Sequence, residues 1–189
     1  FFAQTDLGCY TDTIKKQIEV FAYPVISAGP DLFVLDDGQK KIQSTATGRI
    51  ISYTWTPSIY LSDTTILQPT IIKPKEDTYY YLAVKGRGAC TSKDTLFIVS
   101  LAMPKPPNTF TPNGDGINDT WEIKYLDQYE GCVIEVYNST GQLLYNNTGY
   151  TKPWDGNYKG SPMPSGTYYY IIDPKNGRKK IAGYVTILR

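Results

Sequence analysis

Thr-Tyr-Tyr-Tyr-Leu-Ala-Val, at residues 78–84, has the aromatic and β-branched content of a strand that is buried on at least one face. Upstream, Ile51, Tyr53 and Trp55 alternate with small polar residues, so these three side chains are predicted to share one face of a second strand, with Trp55 as the core anchor. Residues 94–99 predict the closing strand of the same unit. Together the three segments indicate a β-sandwich.

Short segments of this kind recur along the chain between Gly, Pro, Asn and Asp residues, whereas helical periodicity is almost absent. Further strands are predicted at residues 16–20, 120–125, 133–136, 142–145 and 168–172. The fold class predicted from this pattern is all-β, with two immunoglobulin-like antiparallel β-sandwich domains in tandem.

A short internal repeat indicates how the chain is divided. Cys9 and Cys90 lie in similar segments, and each segment runs through an apolar strand to a proline, at Pro24 and Pro104. The separation of the two cysteines is the size of one small sandwich. The predicted divisions are the end of a preceding repeat at 1–25, a spacer domain at 26–103 and a further domain at 104–189.

Composition argues against several functional classes. The 19 Lys and Arg residues nearly balance the 18 Asp and Glu residues, so the chain lacks the basic surface that nucleic-acid binding requires. Histidine, the commonest general base, is absent, and the sequence contains no nucleophile elbow or phosphate-binding loop. The acidic pair Asp36 and Asp37 precedes Gly38 and is expected to form a turn. We therefore expect that the protein is not an enzyme.

The cysteines do not suggest a metal or redox site. Cys9, Cys90 and Cys132 lie far apart without the paired spacing of zinc or thiol–disulfide motifs. Each is expected to be a small buried apolar residue.

One loop concentrates oxygen-bearing side chains. Residues 113–119 read Asn-Gly-Asp-Gly-Ile-Asn-Asp, and the glycines would let the backbone fold tightly around a hard cation. Calcium is the expected ion, with Asn113, Asp115, Asn118 and Asp119 as candidate ligands. The loop lacks the twelfth-position glutamate of an EF-hand, and hydrogen-bonded Asx turns are the alternative interpretation.

The region after the proline-rich linker carries ordered sequence blocks at residues 107–121, 132–145, 154–156, 162–172 and 183–189. In this order, and to the last residue, they resemble the gliding-motility-associated C-terminal domain, which is the type B sorting domain of the type IX secretion system. The preceding unit, with Tyr53-x-Trp55-x-Pro57, resembles the PKD-like and immunoglobulin-like repeats of Bacteroidota surface proteins.

The resemblance implies a sorting signal that directs a large secreted protein across the outer membrane to the cell surface, as in gliding or adhesion proteins. The implied partners are the type IX translocon and an outer-membrane protein of the PorP/SprF type. A strand at the end of the chain can present an edge or a defined surface to such a partner. The candidate recognition residues are Gly183, Tyr184, Val185, Thr186, Ile187, Leu188 and Arg189.

An adhesive function is the alternative interpretation. Exposed aromatic rings can stack on sugars, so the abundant tyrosines are compatible with a calcium-dependent or carbohydrate-binding module that recognises surface glycans. The competing interpretation is that Trp55 and alternate tyrosines fill a sandwich core.

Overall fold

The N-terminal half of the chain forms a sandwich of short strands in the computed structural model, which describes residue 6 and residues 16–189. Alternating apolar residues produce these strands, as the sequence predicts. The strands are β1 (Val25–Ser27), β2 (Leu32–Leu35), β3 (Gln39–Lys41), β4 (Thr45–Thr47), β5 (Ile50–Thr56), β6 (Thr70–Ile72), β7 (Thr78–Gly86) and β8 (Thr91–Leu101).

One layer of this sandwich is a four-stranded sheet in the order β2-β8-β7-β5, and the other layer contains the pairs β1-β4 and β3-β6. The pairings are antiparallel except for that of β2 with β8, which is parallel. Of the three consecutive tyrosines in β7, Tyr80 is buried, whereas Tyr79 and Tyr81 are exposed, because successive side chains point to opposite faces. Trp55 is buried, which confirms it as a core residue.

Two expectations for this half are wrong. Ile51 does not share the core face with Tyr53 and Trp55, because the pairing of β5 with β7 shifts register between Ile50 and Ser52 and leaves Ile51 62% exposed. Residues 16–20 are exposed and form no strand. The predicted end of a preceding repeat lies largely outside the described residues, as does Cys9.

The C-terminal half forms a second sandwich. Its strands are β9 (Thr109–Phe110), β10 (Val133–Tyr137), β11 (Leu143–Thr148), β12 (Asn157–Tyr158), β13 (Ser161–Pro162), β14 (Gly166–Asp173) and β15 (Ile181–Ile187). The main sheet has the order β11-β10-β14-β15-β9, and again a single pair, β9 with β15, is parallel. The predicted all-β class with tandem immunoglobulin-like sandwiches is confirmed.

The prediction of a strand at residues 120–125 is wrong. Only isolated bridges occur there, between Trp121 and Trp154 and between Lys124 and Lys105. The backbone turns at Tyr125, where φ is 66°, and a 3-10 turn follows at Leu126–Gln128. The two tryptophans are nevertheless buried and cover the main sheet from this side.

The cysteines differ in burial. Cys132 is fully buried, as expected, and burial raises the pKa of its thiol. Cys90 is only partly buried. Among the described residues, no helix is long and apolar enough to cross a membrane.

Candidate functional site

The sequence blocks of the C-terminal region converge at one end of the second sandwich. The ring of Trp154 lies 5.5 Å from the ring centre of Phe110 and 5.5 Å from that of Tyr168, and all three side chains are buried. The indole N–H of Trp154 donates to the Asn157 carbonyl oxygen at 3.1 Å. Residues from three separate blocks therefore share a single aromatic core, which fixes the loops at this end.

Arg189 ties three of these loops together. Its guanidinium donates from Nη1 to the Pro112 carbonyl at 2.8 Å, from Nε to the Met163 carbonyl at 3.1 Å and from Nη2 to the Gly156 carbonyl at 3.4 Å. Its backbone N–H also donates to Ser165 Oγ at 3.1 Å. Both sets of candidate residues, the final strand and the loop at 113–119, consequently meet at this end.

The loop at 113–119 folds around the carboxylate of Asp119. This carboxylate accepts the backbone N–H groups of Gly114 at 2.7 Å and Gly116 at 2.8 Å. These hydrogen bonds favour the ionised carboxylate and hold the pKa of Asp119 below its usual value. Both glycines have φ above 80°, a conformation that side chains disfavour, which explains the glycine pattern.

The other candidate calcium ligands are also engaged within the loop. Asp115 accepts the N–H of Ile117 at 2.8 Å and the side-chain amide of Asn113 at 3.0 Å. Asn113 Oδ1 accepts the N–H of Asp115 at 3.1 Å, and Asn118 accepts a hydrogen bond through its backbone carbonyl. In the described part of the chain, no three Cys, Asp or Glu side chains are grouped to hold a metal. The geometry matches Asx turns, and calcium binding stays a prediction.

The final strand presents a side-chain face and, along part of its length, a backbone edge. β15 pairs with β14 along its whole length, whereas on its other side β9 pairs only with Thr186 and Ile187, so the edge at residues 181–185 has no strand partner in the described part of the chain. Val185 and Ile187 are fully buried, whereas Tyr184 and Leu188 are 55% and 50% exposed. A partner could therefore reach alternate side chains of this strand, the residues after it and the backbone edge at residues 181–185.

The packing of Tyr170 against the final strand requires a glycine at position 183. A Cβ atom at this position would lie 2.5 Å from the hydroxyl oxygen of Tyr170, its cross-strand partner. The Tyr170 ring cannot move away freely, because it is buried against Trp121 with a ring separation of 4.9 Å. Gly183 is thus a structural residue of the predicted recognition strand.

A row of tyrosines on the outer face of the sheet was not predicted. Tyr137, Tyr169 and Tyr184 lie side by side across β10, β14 and β15 and line a shallow groove of about 730 Å³ together with Asn138 and Ser139. The alternation of each strand indicates which tyrosine points outward. Only the strand order and register place the three side chains next to one another.

Residues 104–187 match the model of the CHU_C Type IX secretion signal domain. The match spans the second sandwich and less than half of the chain. It supports a C-terminal sorting signal, which implies export, surface exposure and contact with the secretion machinery. No curated protein matches the sequence.

Solved structures of immunoglobulin domains resemble the fold. An I-band fragment of titin has 11% identity and a TM-score of 0.50, with 89% of this chain and 66% of that chain covered. The N-terminal eight Ig domains of Down Syndrome Cell Adhesion Molecule have 9% identity and a TM-score of 0.50, with 98% and 26% covered. DIP-gamma IG1+IG2 has 10% identity and a TM-score of 0.47, with 88% and 97% covered. At these identities, the likeness of the first two concerns the fold alone.

Proposed function

We propose that residues 104–189 form the type B sorting signal of a large cell-surface protein, and that residues 26–103 are a PKD-like spacer. The supporting observation is that the ordered sequence blocks, which lie almost entirely within the region that a secretion-signal family matches, build one shared end of the second sandwich through Trp154 and Arg189. The parent protein would be a secreted gliding or adhesion protein of a Bacteroidota species, without catalytic activity.

The proposed recognition surface is this shared end. Ile117 is 67% exposed at the tip of the hydrogen-bonded loop, and Leu188 is 50% exposed beside Arg189. An exposed apolar side chain on a rigid loop can dock into a protein partner with little loss of conformational entropy. The partner would be the type IX translocon together with a PorP/SprF-type outer-membrane protein.

A secretion assay tests the proposed function. Residues 1–189 would be fused behind a fluorescent reporter that carries a periplasmic export leader, in a Bacteroidota host with a working type IX system. We expect fluorescence on the cell surface or in the medium only when both the translocon and the PorP/SprF-type protein are present. A fusion that ends at residue 103 is the control and should stay in the periplasm. Periplasmic retention of the full fusion in the intact host would contradict the proposal.

Two substitutions test the recognition surface in the same assay. Ile117→Ser combined with Leu188→Ser should lower export at least about tenfold, which corresponds to about 1.4 kcal/mol of lost binding. Ile51→Ser is the matched control, because Ile51 is an equally exposed isoleucine on the spacer. Wild-type export of the double variant, with its thermal midpoint unchanged, would place recognition elsewhere.

A glycan-binding adhesive module is the second candidate, and the tyrosine row favours it. Tyr169 and Tyr184 are 51% and 55% exposed, so their ring faces are available for stacking on sugars. A glycan panel would be screened with the wild-type chain and with Tyr169→Ala. Tyr79→Ala, on the outer face of the spacer, is the control. Binding that is lost only with Tyr169→Ala would support this candidate, and a panel without binding would reject it.

A further inference from the structure

The buried side chain of Arg178 forms hydrogen bonds to both sandwiches. Arg178 lies in the loop between β14 and β15, yet its side chain is only 6% exposed. Nη2 donates to Asp36 Oδ1 at 2.7 Å and to the Leu101 carbonyl at 3.1 Å, and both acceptors belong to the N-terminal sandwich. Nε donates to the hydroxyl of Tyr129, in the C-terminal sandwich, at 2.8 Å. The guanidinium thus bonds to both sandwiches at once.

The residues around Arg178 continue the junction. The Tyr129 hydroxyl donates to the Ala102 carbonyl at 2.7 Å, and Gln128 Oε1 accepts the N–H of Ala102 at 3.0 Å. Leu101, at the end of β8, is 1% exposed and belongs to the core of the second sandwich, against which Leu35 also packs. The contact is therefore polar at Arg178 and apolar beside it.

The turn at Asp36 and Asp37 supplies the surface of the N-terminal sandwich that contacts Arg178. Gly38 donates its N–H to the Leu35 carbonyl at 2.9 Å, which confirms the turn predicted at Asp36 and Asp37. The N–H of Asp36 donates to the Leu101 carbonyl at 3.0 Å, which fixes the turn against the end of β8. Asp37 adds a second carboxylate at 3.3 Å from Arg178 Nη1.

The charges at the junction are mutually stabilised. Burial alone would lower the pKa of Arg178, but hydrogen bonds to Asp36 and Tyr129 raise it overall, so the guanidinium stays charged. A charge held away from water without its partner is strongly unfavourable. Separation of the two sandwiches would require both Arg178 and Asp36 to be rehydrated and would expose Leu101.

We propose that the surface formed by Arg178, Tyr129 and Gln128 docks an immunoglobulin-like sandwich that carries an acidic turn after its edge strand. This docking makes the two sandwiches of the chain unfold as one cooperative unit and holds them at a fixed angle. Domains joined by a short linker ordinarily reorient and unfold separately. Here the occupant of the surface is the preceding sandwich of the same chain. This inference does not depend on the secretion function.

Calorimetry and residual dipolar couplings, both measured on the full chain, test whether the two sandwiches form one cooperative unit. We expect a single thermal transition for the wild type and a fixed inter-domain orientation in residual dipolar couplings. Arg178→Gln should lower the midpoint by at least about 4 °C or split the transition in two. Lys179→Gln, an exposed neighbour with the same charge change, should shift it by less than about 1 °C.

A milder variant keeps the test interpretable if Arg178→Gln folds poorly. Asp36→Asn retains the shape of the side chain and removes only the charge, and its effect should not add to that of Arg178→Gln in the double variant. Two wild-type transitions, or a midpoint and orientation in Arg178→Gln equal to those of the Lys179→Gln control, would overturn the proposal.

Discussion

Replacement of Gly183 by alanine tests whether packing dictates the glycine in the final strand. The added Cβ would lie 2.5 Å from Tyr170 Oη and 2.7 Å from Cζ, far inside van der Waals contact. The ring is only 8% exposed and packs on Trp121, so relief requires a concerted shift of two buried aromatic side chains. Such overpacking costs about 1–3 kcal/mol.

The same substitution also has a stabilising effect, which reduces the expected loss of stability. Glycine to alanine at an allowed backbone conformation stabilises a protein by about 0.4–1 kcal/mol through the unfolded chain. Gly183 does not have the positive φ that would cancel this gain. At the midpoints of these two ranges, the net expectation for Gly183→Ala is a loss of about 1.3 kcal/mol, or about 3–5 °C in the thermal midpoint of a chain of this size.

Urea denaturation followed by tryptophan fluorescence would measure the loss. Ala182→Val, which adds volume on the exposed outer face of the same strand, is the control and should change stability by less than about 0.5 kcal/mol. Tyr170→Phe removes the atom nearest to the new Cβ, so it should recover part of the loss when combined with Gly183→Ala. A Gly183→Ala variant as stable as the wild type, or no recovery in the double variant, would refute the packing argument.

Three further outcomes follow from the same sandwich. Because backbone hydrogen bonds lower the folded pKa of Asp119 below 3.8, its stabilisation of the loop should be fully present above that pH and lost as pH falls through the lower folded value. The amide shifts of Gly114 and Gly116 should follow this loss, and Asp119→Asn should abolish their titration. If the predicted calcium site forms, calorimetry with millimolar calcium should give a saturable heat that Asp119→Asn removes; if the loop forms only Asx turns, whose oxygens accept hydrogen bonds within the loop, calorimetry should give no saturable heat. Trp154→Ala should cost about 3–5 kcal/mol in urea denaturation because the ring is fully buried, whereas the exposed Tyr184→Ala should cost less than about 0.5 kcal/mol.

Several features could be predicted from the sequence because they depend on local alternation. The strands at Thr78–Gly86 and Gly166–Asp173 contain consecutive tyrosines that alternate between core and solvent, and the structure confirms both segments. Trp55 is likewise identified as a core residue by its position in an alternating strand. The glycine pattern at 113–119 predicts a tight loop, since glycine adopts the left-handed backbone conformation found at Gly114 and Gly116 without strain.

The sequence alone determined the all-β class, most strands and the location of the candidate loop and final strand, because side-chain alternation and turn residues act over a few positions. The tertiary structure decided the rest through long-range pairing. A register shift exposed Ile51, sheet order aligned Tyr169 with its neighbours, and β9 paired with only the last two residues of β15. The contact of Arg178 with Asp36 joins positions 142 residues apart, so no local pattern in the sequence could indicate it.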